Sequence, residues 1–145
     1  MQSILDLCKD SEPREFSSGE VLITEGNKSG VIYVLLEGKV EITKGKHLIN
    51  TVTEPGATFG EMSVLLDIPH MATVKTVGPS QLYVLESSDS LLSSEDLTGL
   101  IAKILAKRLN NITNYVLELK ERSTDSEEKL GMVCEVLEKY IYQSN

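Results

Sequence analysis

Between Arg14 and about Glu86, apolar residues come in short runs, and most of these runs stop at a glycine. Val21-Leu22-Ile23-Thr24 stops at Glu25-Gly26, Val31 to Leu36 at Glu37-Gly38, and Val40 to Thr43 at Lys44-Gly45. His47 to Val52, Ala72 to Val77 and Gln81 to Leu85 supply further strand-like runs. Runs of this length with turns between them predict antiparallel strands in a sandwich or jelly roll closed on itself. Gly19, Gly26, Gly38, Gly45, Gly56 and Gly60 then provide turns and tight corners where the backbone needs positive φ.

The flanks follow a different period. Gln2 to Lys9 sets Ile4, Leu5 and Cys8 on one side of a short helix that ends in Asp10-Ser11-Glu12-Pro13. After Glu86 the pattern turns helical. Leu105, Leu109, Ile112, Val116 and Leu119 recur at alternating steps of four and three, the seam of a paired helix. The register continues through Ser123 and Ser126 to Leu130, Val133, Leu137 and Tyr140. Thr124-Asp125-Ser126-Glu127 also reads as a capping box opening a new helix, so one long helix and two shorter ones both fit. The expected division is a β-roll with its short N-terminal helix over 1–94 and a helical, dimer-forming segment over 95–145. The stripe predicts a homodimer, with a hairpin that folds back within one chain as its competitor.

Composition narrows the class. A chain of 145 residues, 41% hydrophobic and 25% charged, can build one packed domain with an appendage. Its formal charge is −8; up to Asp89 there are 7 basic and 13 acidic residues, leaving that part near −6. Nucleic-acid binding needs clustered Lys and Arg, so this balance argues against it. Cys8 and Cys134 stand near opposite ends and imply two free thiols in a reducing compartment. No apolar run is long enough to span a membrane and no leader pattern opens the chain, so a cytoplasmic protein is expected. His47 and His70 make no metal-ligand spacing, and no Ser or Cys sits in a nucleophile elbow. No metal, no resident cofactor and no enzymatic activity are expected.

Two stretches carry the chemistry: Phe59-Gly60-Glu61-Met62, and Pro69-His70-Met71-Ala72-Thr73-Val74. Together they resemble the phosphate-binding cassette of the cyclic-nucleotide-binding domain family. Further landmarks extend the likeness in order and spacing: Phe16-Ser17-Ser18-Gly19-Glu20-Val21-Leu22, Glu25-Gly26, Tyr33-Val34-Leu35, Glu37-Gly38-Lys39-Val40 and Pro55-Gly56-Ala57-Thr58. The likeness covers roughly residues 1 to 120. It implies a mainly β fold with flanking helices, a β-roll of the catabolite-activator kind followed by a C-terminal helix or helices. Leu105-Ala106-Lys107-Arg108-Leu109 is similar to the stretch opening the dimer helix of bacterial members. The winged helix-turn-helix that many relatives place after that helix does not fit the short stretch beyond Glu121, so DNA binding is not expected.

The resemblance also assigns roles. Glu61 would accept a hydrogen bond from the ribose 2′-hydroxyl. Amides around Gly60 to Met62 and at Met71-Ala72 would face the phosphate, as in other anion nests. Val64, Leu65 and Leu66 read as core residues anchoring the cassette helix. Thr113 falls where bacterial members present a hydroxyl to the base, and reads equally as a solvated helix residue. Nine residues after Glu61, where the family carries an arginine, this chain has His70. Arginine brings a permanent planar charge, whereas histidine is mostly neutral at pH 7. Three readings of His70 stay open: a plain surface or strand-start residue, a weakened phosphate contact, or a contact that gains charge as pH falls. Two functions follow. One is a sensor for a cyclic nucleotide, cyclic AMP or cyclic GMP, or a related phosphorylated molecule, signalling through its C-terminal helix to an effector protein. The other is a ligand-independent interaction and dimerisation domain with a degenerate site.

Overall fold

Alternation of inward and outward residues organises eight short strands into two antiparallel four-stranded sheets, described by a computed structural model over residues 3–86, 94–122 and 131. The strands are β1 (Arg14–Phe16), β2 (Val21–Ile23), β3 (Ile32–Glu37), β4 (Val40–Lys44), β5 (His47–Val52), β6 (Thr58–Phe59), β7 (Thr73–Thr76) and β8 (Ser80–Leu85). One sheet has the order β1-β8-β3-β6 and the other β2-β7-β4-β5. The expected β-roll is therefore present, with α1 (Ile4–Cys8) before it, α2 (Glu61–Leu66) between β6 and β7, and α3 (Glu95–Arg122) after it.

The core lies between the sheets. Leu35, Phe59 and Leu82 come from one, and Ile23, Val40 and Val74 from the other. Phe16 meets Tyr33 edge-on beside this cluster, with ring centroids 6.3 Å apart, a favoured aromatic geometry. On β3 the alternate residues Ile32 and Val34 are also fully buried. They face away from the inter-sheet core, on the strand against which α1 packs its buried Ile4 and Cys8. A capping box starts α1: the Asp6 amide donates to Ser3 Oγ at 3.2 Å, and the Ser3 amide to Asp6 Oδ2 at 2.8 Å.

Buried polar groups sit where segments cross. Thr76 is fully buried. Its Oγ1 accepts from the Glu20 amide at 2.9 Å and donates to the Ser17 carbonyl at 2.6 Å, which ties β7 to the β1–β2 turn. Ser80 Oγ donates to the Gly78 carbonyl at 2.9 Å and accepts from the Lys39 amide at 3.2 Å. That bond holds the β3–β4 turn against the start of β8.

The chain divides into two compact units, residues 1–101 and 102–145. The first includes the opening turns of α3, whose Leu97 and Ile101 are buried. In the second, Leu109, Ile112 and Leu119 of the expected seam are exposed, and Leu105 and Val116 are half-buried. The choice between a continuous helix and a break near Thr124, the seam residues past Arg122, and Cys134 all lie outside the described residues.

Candidate functional site

Strand β6 delivers the chain to the site. Its Thr58 and Phe59 pair with Val34 and Tyr33 of β3, and Gly60 follows at φ 91°. A Cβ at Gly60 would lie 2.5 Å from the Val31 carbonyl oxygen, 3.2 Å from Ile23 Cδ1 and 3.4 Å from His70 Cε1. The chain is therefore glycine-bound there both by φ and by space. Glu61 opens α2 and is only 3% exposed. A carboxyl group is costly to keep out of water without polar partners, so its burial sets Glu61 apart from an ordinary turn residue.

The cassette helix is short and ends at Asp67, whose φ of 54° lies in the left-handed region. Ser63, also buried, donates from Oγ to the Ile68 carbonyl at 2.5 Å. Glu61 and Ser63 thus take the inward side of α2. This corrects the expectation for Leu65 and Leu66, which are exposed at 48% and 60% instead of lying in the core; Val64 is half-buried. Six residues span too few turns for apolarity to fix which side turns inward. Met62 and Met71 are also exposed, so thioether side chains flank the cassette on both of its arms.

His70 does not sit on the surface. Only 5% of it is exposed, and its Nε2 lies 2.7 Å from Ser29 Oγ. Its amide donates to the Asn27 carbonyl at 2.8 Å, and its carbonyl accepts from the Gly26 amide at 2.9 Å. His70 therefore clamps the cassette onto the Gly26–Gly30 loop. Ser29 and Asn27 escaped the sequence reading, because that loop looks like an ordinary polar turn 41 residues away from its partner. Burial holds the imidazole below its ordinary pKa. The surface reading of His70 is corrected accordingly, and the charge expected to appear between pH 8 and 6 is displaced to lower pH.

A stability consequence follows, with its sign. The fold favours neutral His70, so that contribution is complete above the ordinary imidazole value of about 6.5 and is lost as pH falls from there through the depressed folded value. Urea midpoints should hold steady from pH 8 to 7 and decline below about 6.5, before carboxylates titrate. In His70→Gln that part of the decline should vanish; an unchanged profile in the variant would assign it to other groups.

The structure thus gathers Gly60, Glu61, Met62, His70, Met71 and half-buried Ala72 at one place. Thr113 belongs to the second unit, and its Oγ1 donates to the Leu109 carbonyl at 2.9 Å. Among the described residues no group of three or more His, Cys, Asp or Glu is placed to hold a metal ion. No helix among them is long and apolar enough to cross a membrane.

Comparison with known proteins agrees with this architecture. A family model described as the cyclic nucleotide-binding domain matches residues 13–91. The cAMP-dependent protein kinase regulatory subunit of Dictyostelium discoideum is 35% identical over 81 residues, covering 51% of this chain and 25% of that protein. The chain thus spans about a quarter of that relative's length. A solved structure described as Sp-2Cl-cAMPS bound to PKAR CBD2 is 25% identical, with a TM-score of 0.59 over 83% of this chain and 88% of that one. The catabolite activator protein of Thermus thermophilus, at 24% identity, shares the fold with a TM-score of 0.63 over 75% of this chain and 55% of its own. With the family model covering more than half of its residues, and the roll, the cassette and the buried glutamate all in place, the chain belongs to the cyclic nucleotide-binding domain family.

Proposed function

We propose that this chain is a non-enzymatic, ligand-responsive regulatory module. Its cradle, formed by Gly60, Glu61 and Met62 on one arm and His70, Met71 and Ala72 on the other, receives the ribose end of a nucleotide. Cyclic AMP, cyclic GMP or a related phosphorylated molecule is held weakly, with Glu61 accepting the ribose hydroxyl proton. Thr113 is the proposed hydroxyl for the base, since an oxygen that donates to a carbonyl can still accept. The response passes through the C-terminal helix, which also joins two copies into a homodimer and addresses an effector protein.

The observation that carries this reading is the burial of Glu61 directly after a glycine whose side-chain space is already filled. A simple turn between two strands needs neither. The alternative, a ligand-independent interaction and dimerisation domain, draws support from His70, which serves the fold as a clamp and brings no cation.

Calorimetric titration with cyclic AMP and cyclic GMP separates the two. Wild type is expected to bind weakly, and His70→Arg to gain about ten- to a hundredfold. That is the worth of a charge-assisted hydrogen bond of roughly 1.5–3 kcal/mol. Glu61→Gln should abolish the response in either background. Tight binding by wild type, or no gain in His70→Arg, would show that the cassette position is misjudged.

A further inference from the structure

The loop from Gly26 to Gly30 grips His70 from both sides of Lys28. The Asn27 carbonyl accepts from the His70 amide at 2.8 Å, and Ser29 Oγ lies 2.7 Å from His70 Nε2. Lys28 is therefore anchored beside the second arm of the cradle by its two chain neighbours. It is also the only lysine or arginine in residues 26–30 and 60–72, the clamping loop and the cassette. Its Nζ reaches Asp67 Oδ1 at 2.6 Å, on the stretch that joins the cassette's two arms. The two side chains of this pair are 49% and 88% exposed. An ion pair so open to water is worth little, because solvent screens it and holding a long side chain still costs entropy.

From this we infer that Lys28 supplies the cation for the ligand's phosphate, exchanging Asp67 for that anion when a nucleotide enters. The inference rests on the reading of the cassette as a nucleotide cradle. His70 cannot take this part, since it is buried and its ring is engaged by Ser29. Lysine carries a compact charge on a flexible four-carbon stem, so its Nζ can leave Asp67 while the loop stays clamped through Asn27 and Ser29. Asp67 does not need the pair to end α2, because its own amide donates to the Ser63 carbonyl. The exchange gives up a weak, solvated contact for a charge-assisted bond to a phosphate oxygen. Two duties are thus divided between two residues: His70 holds the loop, and the loop brings the charge. One flexible ammonium attracts an anion without fixing its orientation, which accords with weak binding.

The test is calorimetric titration of wild type, Lys28→Gln, Lys28→Arg and Asp67→Asn with cyclic AMP and cyclic GMP at pH 7.5. For whichever nucleotide binds, Lys28→Gln should weaken binding about tenfold, the loss of one charge-assisted hydrogen bond. Lys28→Arg keeps the charge and should stay within about threefold of wild type. Asp67→Asn releases the ammonium and should strengthen binding severalfold; asparagine tolerates the left-handed backbone there. A rise in salt of about sixfold should weaken binding by wild type and leave Lys28→Gln nearly unaffected. A merely structural latch predicts the reverse: a lower urea midpoint for Lys28→Gln, with its affinity and salt response those of wild type. That result overturns this inference and leaves the cradle standing. If neither nucleotide binds wild type at millimolar concentration, the cradle itself is overturned, and the role of Lys28 with it. Should Lys28→Gln fail to fold by circular dichroism, the Asp67→Asn gain and the wild-type salt response still decide.

Discussion

Replacing Gly38 with alanine should unfold the roll or cost it about 4 kcal/mol or more, a large share of the 5–15 kcal/mol that holds a typical domain together. Gly38 has a φ of 117°, where an L side chain is strained by roughly 1–3 kcal/mol before any contact is counted. A Cβ there would lie 2.6 Å from both Cα and Cβ of Ser80, and would collide with its Oγ as well. The Cα is backbone, so neither Ser80→Ala nor Ser80→Gly can relieve the overlap. Moving Ser80 away would also break its bonds to Lys39 and Gly78, which register the β3–β4 turn against β8. Gly78→Ala is the matched control: no atom lies within 4 Å of its new methyl, and a change within about 1 kcal/mol is expected. Urea unfolding of the two variants beside wild type gives the comparison. A Gly38→Ala protein within 1 kcal/mol of wild type would falsify this close approach.

Two aspartates in the α3 stripe should convert a dimer to monomers. Leu109, Ile112 and Leu119 are exposed at 43%, 54% and 38%. They lie on the stripe that runs from Leu105 to Leu119, a rise of about 21 Å at 1.5 Å per residue. Fully burying one such side chain is worth roughly 1.5–3 kcal/mol, and the proposed pairing of the stripe with its copy would draw on that term. Ile112→Asp with Val116→Asp places four carboxylates in that seam, where burial without partners is prohibitive. Light scattering should give twice the chain mass for wild type at tens of micromolar and the single chain mass for the variant, with helical content largely kept. The seam fails if wild type remains a monomer at high micromolar concentration, or if the dimer ignores both charges. The first outcome would favour the intrachain hairpin.

How much of this could be read from the chain depends on length and period. β3, β4, β5 and β8 each run five or six residues, long enough for alternation and a glycine stop to mark them. β6 has two residues and β1 three; no period can be seen in so few, and only the pairing with β3 and β8 makes them strands. The resemblance implies a short helix in the cassette, but the apolar pattern points Leu65 and Leu66 inward where the structure buries Glu61 and Ser63, inverting the rule that apolar residues go inside. His70 shows the same limit more sharply. Imidazole is equally suited to a wet surface and to a satisfied interior, and what decides is a serine hydroxyl arriving from a distant turn. Side-chain chemistry was therefore easier to locate than to orient.

The pairing of β1 with β8, and of β2 with β7, has a consequence for how the molecule comes into being. Arg14 lies across from Leu82 and Val21 from Lys75, so the first strands of the roll wait for its last. Nearly the whole domain must be closed as a loop before either pair can form, and the entropy of closure is spent ahead of its return. Folding should accordingly sit in the millisecond-to-second range typical of non-local β topologies. During synthesis, a nascent chain that stops short of β8 leaves β1 and the open side of β3 as unsatisfied edges, exposed to other chains.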